Sequence, residues 1–129
     1  MPADHRTKRQ PQVKVLIVDD DPSFRAAALG LLAARGYQVV GEAACGAEGL
    51  AIACASCPDA VLLDVNLPDG DGLAVAARLT AAGGPRPRVL LTSSDSRAAP
   101  ERLLRSSGAV GFIAKEDLAD AALDTYIRG

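Results

Sequence analysis

Val15-Leu16-Ile17-Val18-Asp19-Asp20-Asp21-Pro22 carries the reading of the fold. An aliphatic, β-branched run, begun at Val13, stops on three acids and a proline. Such a run predicts a strand covered on both faces. Asp21-Pro22 predicts a helix start, because Asp caps free N–H groups and Pro suits the first turn. Phe24, Ala27, Ala28, Leu31 and Leu32 continue at helical spacing, and Gly36 is a natural stop. One strand hands over to one helix across a short acidic turn.

The same handover repeats outward from this stretch. Tyr37 to Ala43 reads as a second strand, and Ala47, Leu50, Ala51 and Cys54 as a helical stripe ended by Pro58. Ala60 to Asp64 is a short buried strand that ends on a carboxylate, followed by a Pro/Gly/Asp-rich loop. Leu73 to Ala82 predicts a third helix closed by Gly83-Gly84, Arg88 to Ser93 a fourth strand, and Pro100 to Ser107 a short fourth helix. Gly111 to Ala114 is a fifth strand, and Ala119, Ala122, Leu123, Tyr126 and Ile127 form the stripe of one last helix. Five strand-then-helix units predict an α/β, doubly wound parallel sheet with helices on both faces.

Bulk properties bound what such a domain does. With 129 residues there is room for one core, and 49% hydrophobic against 23% charged residues is the balance of a globular chain. A net charge of -2 gives no reason to expect direct nucleic-acid binding. The one basic cluster, His5-Arg6-Thr7-Lys8-Arg9, falls in residues 1–12, read as a flexible N-terminal arm ahead of a domain over 13–129. No apolar run reaches the roughly 18–20 residues needed to cross a bilayer, and the N-terminus lacks a secretory pattern; a cytoplasmic location without membrane contact is expected. Cys45, Cys54 and Cys57 are an odd set. Cys54-Ala-Ser-Cys57 has CxxC spacing, but it falls at the end of a helical pattern and lacks further ligands, so it is read as structural.

In parallel α/β sheets the working site lies beyond the carboxyl ends of the strands. Those ends carry Asp19 and Asp20, Asp64, Thr92 and Ser93, and Lys115. Two carboxylates about 4 Å apart repel by roughly 4 kcal/mol at the effective dielectric near a protein surface. Carboxylates from the first and third strands therefore call for a cation. Hard oxygens without His or Cys suit Mg²⁺. Lys115 brings a fixed positive charge, and Thr92 a hydroxyl donor. Acid, metal, lysine and hydroxyl together are organised to accept a phosphoryl group, with an Asp carboxylate as nucleophile.

Four blocks now resemble the bacterial two-component response regulator receiver domain, of the chemotaxis-receiver-like kind. They are Val15 to Pro22, Val61-Leu62-Leu63-Asp64-Val65-Asn66-Leu67-Pro68-Asp69-Gly70-Asp71-Gly72, Val89-Leu90-Leu91-Thr92-Ser93 and Gly111-Phe112-Ile113-Ala114-Lys115. The resemblance spans about residues 13 to 128 and rests on the blocks' order, spacing and strand-end position. It implies the flavodoxin-like strand order 2-1-3-4-5. It implies that Asp64 is the phosphoacceptor, that Asp20, Asp64 and the Asn66 carbonyl hold Mg²⁺, and that Asp19 acts on the metal through water. Thr92 would bind a phosphoryl oxygen, Lys115 would pair with Asp64 and then with the phosphate, and Phe112 would be the switch aromatic beside Thr92. Ser93 is small, as access by a phosphohistidine requires.

The implied donor is a sensor histidine kinase or phosphotransfer protein. The implied output runs through a downstream protein target, an attached effector domain or a phosphorylation-dependent homodimer. Such a domain is a switch rather than an enzyme, either free-standing or part of a longer regulator.

The family commonly places a cis proline after the lysine. Here Glu116 follows, and a cis bond before a non-proline costs about 3 kcal/mol, so a trans peptide and an altered turn are expected. Two other readings compete with this one. A haloacid-dehalogenase-type phosphatase would use Asp19-x-Asp21, but it leaves Asp64 and its loop without a role. A degenerate receiver serving only as a binding module would lack part of the acid and lysine set, which is complete here.

Overall fold

The computed structural model describes residues 12–81, 86–95 and 101–128, the side chain of Leu103 excepted. Most of the expected arm therefore lies outside the described residues, as do Ala82, Gly83, Gly84 and Pro100. The strands are β1 (Lys14–Val18), β2 (Gln38–Ala43), β3 (Ala60–Asp64), β4 (Arg88–Ser93) and β5 (Gly111–Ala114). They pair in parallel in the order β2-β1-β3-β4-β5, as the resemblance implied.

The continuous apolar runs explain which strands are central. Val15 to Val18, all of β3, and Val89 to Ser93 are buried, because helices cover both faces of the sheet. Alternate side chains enter two cores. Val15, Ile17, Leu62, Leu90 and Ile113 meet α1 (Pro22–Ala34) and the last helix through Ala28, Leu32, Leu123 and Ile127. Leu16, Val18, Val61, Leu63, Val89 and Leu91 meet α2 (Gly46–Ser56) and α3 (Gly72–Leu79) through Ala53 and Ala76, with Leu104 of α4 (Glu101–Ser107) packed alongside. Among the described residues, no helix is long and apolar enough to cross a membrane.

Helix starts follow their side chains. Asp21 accepts from the Ser23 N–H at 2.9 Å with Pro22 in the first turn, as expected. Asp71 accepts from the Leu73 N–H at 2.8 Å and starts α3. α2 begins at Cys45 without a cap from its own side chain. Asp69, in the loop after β3, caps it instead, accepting from Gly46 N–H (2.8 Å) and Ala47 N–H (2.9 Å). Those N–H groups hold the Asp69 carboxyl below the usual carboxylate range. Cys54 and Cys57 sit at the C-terminal end of this helix, with Cys57 as its left-handed cap.

Two helix expectations need correction. The third helix ends at Leu79, with Thr80 as its cap (φ -98°, ψ 1°) and Ala81 already outside it; the Thr80 hydroxyl lies 2.8 Å from the Ala76 carbonyl. The same oxygen lies 3.0 Å from the Ser107 carbonyl, tying α3 to α4.

The last helix is not one stripe. Lys115–Asp120 is a 3₁₀ helix, Ala121 is extended (ψ 147°), and α5 covers only Leu123–Ile127. A single α-helix with the expected stripe would bury Ala119 and Ala122, yet both are exposed. The chain instead buries the larger Leu118, Leu123 and Ile127. Arg35 takes the carbonyls of Ala121 (2.6 Å) and Ala119, which a continuous helix would have used internally. No peptide among the described residues is cis, and the chain leaves β5 through the 3₁₀ turn at Lys115.

Candidate acidic site at the carboxyl edge of the sheet

The strand-end residues singled out in the sequence converge. Asp19 directly follows β1, pinned by its N–H on the Ala43 carbonyl of β2 at 2.9 Å. Its carboxylate is 1% exposed; Oδ1 accepts from the Asp21 N–H at 2.8 Å, and Oδ2 lies 2.7 Å from Lys115 Nζ. Asp64 ends β3 in register with Thr92 of β4. Its Oδ1 accepts from the Asn66 N–H at 3.0 Å and its Oδ2 from Lys115 Nζ at 3.2 Å. Asp20 is exposed beside them, and carboxylate oxygens of Asp19, Asp20 and Asp64 lie within 4.8 Å of one another.

The charge balance at this edge is uneven. One ammonium faces the buried Asp19 and Asp64 with Asp20 next to them. Burial pushes the Asp64 carboxyl above its ordinary pKa; the Asn66 N–H pulls the other way, and nearby Asp19 adds to the rise. Burial works against the charge on Lys115, yet Asp19 and Asp64 together hold its pKa above the ordinary value. The site favours protons and cations. An all-oxygen donor set of this spacing fits a hard divalent ion such as Mg²⁺.

Thr92 is 1% exposed and its Oγ1 has no hydrogen-bond partner among the described residues. A buried hydroxyl left unpaired costs about 1–3 kcal/mol, so the position suits a ligand oxygen. Ser93 is fully buried with its Oγ accepting from the Asp95 N–H at 3.0 Å. Asn66 is exposed, in a two-residue ladder with Asp71, its backbone held on Asp64 by the N–H already described. Phe112 is half-buried on β5 and packs with the core that contains Leu91. Its strand neighbour Ile113 is the register partner of Thr92. Asp21 spends its carboxylate on capping α1 and stands outside the acidic cluster, which removes the geometry of the phosphatase reading.

Sequence reasoning missed two neighbours of the site. Arg25 donates to the Asp19 carbonyl at 2.7 Å and pairs with Glu42 of β2 at 3.3 Å. Phe24 had been read only as core, but its ring lies under Lys115 Nζ, 4.6 Å from the centroid. Helical spacing puts Phe24 on the inner face of α1, but it carries no sign that a lysine from the far end of the chain arrives there.

Residues 15–127 match the family model of the response regulator receiver domain. The chain belongs to that family. This receiver is 41% identical over 104 residues to the virulence-factor transcription regulator BvgA of Bordetella pertussis, covering 81% of this chain and 49% of the relative. It is 38% identical over 121 residues to the transcriptional regulatory protein NarL of Mycobacterium tuberculosis, covering 89% and 56%. The chain thus spans about half the length of these relatives. Among solved structures, the signal receiver domain of NarL from Mycobacterium tuberculosis superposes with TM-score 0.75 at 34% identity, covering 91% of this chain and 98% of that one. The response regulator domain of Thermotoga maritima CheB gives TM-score 0.78 at 25% identity, covering 92% and 95%.

Proposed function

We propose that this receiver takes a phosphoryl group from the phosphohistidine of a sensor histidine kinase or phosphotransfer protein onto Asp64. The observation that carries this reading is the meeting of the Asp19, Asp20 and Asp64 oxygens with Lys115 at the edge where Thr92 is buried without a partner among the described residues. Asp64 attacks phosphorus, its oxygen–phosphorus bond forming as the phosphorus–nitrogen bond to imidazole breaks. Lys115 then pairs with a phosphoryl oxygen, and the Thr92 hydroxyl donates to another. Ser93, small and buried, leaves the approach clear.

Asp20, Asp64 and the Asn66 carbonyl would hold Mg²⁺, with Asp19 acting through water. Bound there, the ion would neutralise charge on the phosphoryl oxygens. A phosphoryl group adds about -1.5 to -2 charge, enough to draw Thr92 and Lys115 toward it. Phe112 turns inward as Thr92 moves, and α4 shifts with it; this is the switch.

The domain acts as a cytoplasmic switch rather than an enzyme, with residues 1–12 a flexible arm ahead of the receiver over 13–129. Output passes to a protein target, an attached effector domain or a second copy, without direct contact to nucleic acid or membrane. Incubation with a small phosphodonor and Mg²⁺ tests the reading. One phosphate, labile as an acyl phosphate, is expected on the unsubstituted protein and none on Asp64→Asn. Equal labelling of the two overturns it.

A further inference from the structure

Lys115 is held on more than its carboxylates. An ammonium offers three N–H donors, and here its nitrogen has carboxylate oxygens at 2.7 Å (Asp19) and 3.2 Å (Asp64). The Phe24 ring is a third neighbour, its centroid 4.6 Å away, inside the roughly 6 Å range of a cation–π contact. Phe24 is the third residue of α1, one turn beyond the acidic turn, and its half-buried ring also touches the core under that helix. The Lys115 side chain is left only 17% exposed.

We propose that Phe24 is a positioning residue for phosphorylation: its ring face holds the Lys115 ammonium at the site by cation–π attraction. This rests on the reading of Lys115 as the cation that meets the incoming phosphoryl group. Three features support a role beyond packing. A flexible four-carbon lysine stem has much rotamer freedom to lose, and Asp19 competes with Asp64 for its head. The lysine directly follows β5 and opens the 3₁₀ helix, so the backbone fixes its Cα while the placing of the ammonium is left to contacts along the side chain. The ring comes from α1, which is capped by Asp21 and therefore rigidly placed against the acids. The attraction is to charge rather than to a hydrogen-bonding geometry, so it persists when Asp64 becomes phosphorylated and the ammonium re-pairs.

The test separates attraction from shape. Phenylalanine at position 24 is replaced by its mono-, di- and trifluoro analogues, which keep the ring but progressively remove the negative face. Two readouts are taken on the full chain. The first is the rate of phosphorylation by a small acyl phosphate at saturating Mg²⁺; the second is the ring-current shift of the Lys115 ε-methylene protons. The rate is expected to fall stepwise, about tenfold over the series, as loss of roughly one such contact implies. Phe24→Leu should fall at least as far and lose the ring-current shift, and Phe24→Tyr should retain both. A flat rate with the shift intact shows Phe24 to be packing alone and overturns the proposal. So does a Lys115 signal with no ring-current shift in the unsubstituted protein. Failure of the underlying functional reading looks different: the unsubstituted protein then gains no phosphate at all.

Discussion

The first and last strand-to-helix connections make opposite use of the chain. After β1, the turn is closed by its own residues: Asp19 accepts from Asp21, Asp21 from Ser23, and Pro22 starts α1. After β5, neither Ala114 nor Ala122 caps anything with its side chain. Distant groups shape that segment instead. Asp19 and Asp64 draw Lys115 to the site, and Arg35 holds the Ala119 and Ala121 carbonyls. Helix boundaries are local where the cap is local, and a repeat of apolar residues misleads where it is not.

Substitutions of graded severity sharpen this contrast. The largest effect is expected in the third connection, a stricter version of the first. A Cβ at Gly72 would stand 2.1 Å from the Asp64 carbonyl oxygen and 2.8 Å from Val65 Cα, both backbone. Gly72→Ala should cost about 3 kcal/mol or more in a denaturant titration and weaken Mg²⁺ binding, since the Asp64 backbone must move. Next comes Leu118→Ala, about 2–4 kcal/mol, because the 3₁₀ helix exists to bury that side chain (4% exposed). A cost below about 1 kcal/mol would mean the segment has another anchor.

Smaller effects come from moving a cap. Asp21→Ala should lose about 1 kcal/mol, while Ala122→Asp, supplying the missing cap at an exposed position, should gain up to about 1 kcal/mol. A loss in both would break the contrast.

The last effect carries a sign rather than a size. Because burial raises the Asp64 pKa above its unfolded value, the folded state holds that proton more tightly. Its contribution to stability is present below the ordinary carboxylate pKa and disappears as pH rises through the folded pKa. Metal-free Asp64→Asn should therefore gain on the unsubstituted protein as pH is raised from acid to neutral. Mg²⁺ should reduce the difference.

How much was legible follows the same division. The five strands, the sheet's both-faced burial and the edge that carries Asp19, Asp20, Asp64, Thr92 and Lys115 were readable, because each depends on short apolar runs and what terminates them. Strand order was not a matter of local pattern and came from family resemblance. The split after β5 was hidden, since Ala119 and Ala122 fit a helical stripe and Arg35 lies far away in sequence. Asp69 gave no sign of capping α2: in sequence it is one more turn residue beside Gly70. Phe24 was correctly placed on the inner face of α1, but its contact with Lys115 depends on the parallel sheet bringing the first and last connections together.

The central claim is that Asp64, among three neighbouring carboxylates, receives the phosphate. Phosphorylate the protein with a small phosphodonor and Mg²⁺, reduce the acyl phosphate with borohydride, and sequence the peptides by mass spectrometry. Homoserine at position 64, with Asp19 and Asp20 unchanged, is the expected result. Homoserine at Asp19 or Asp20, or phosphate that resists reduction because it sits on a hydroxyl such as Thr92, would contradict it.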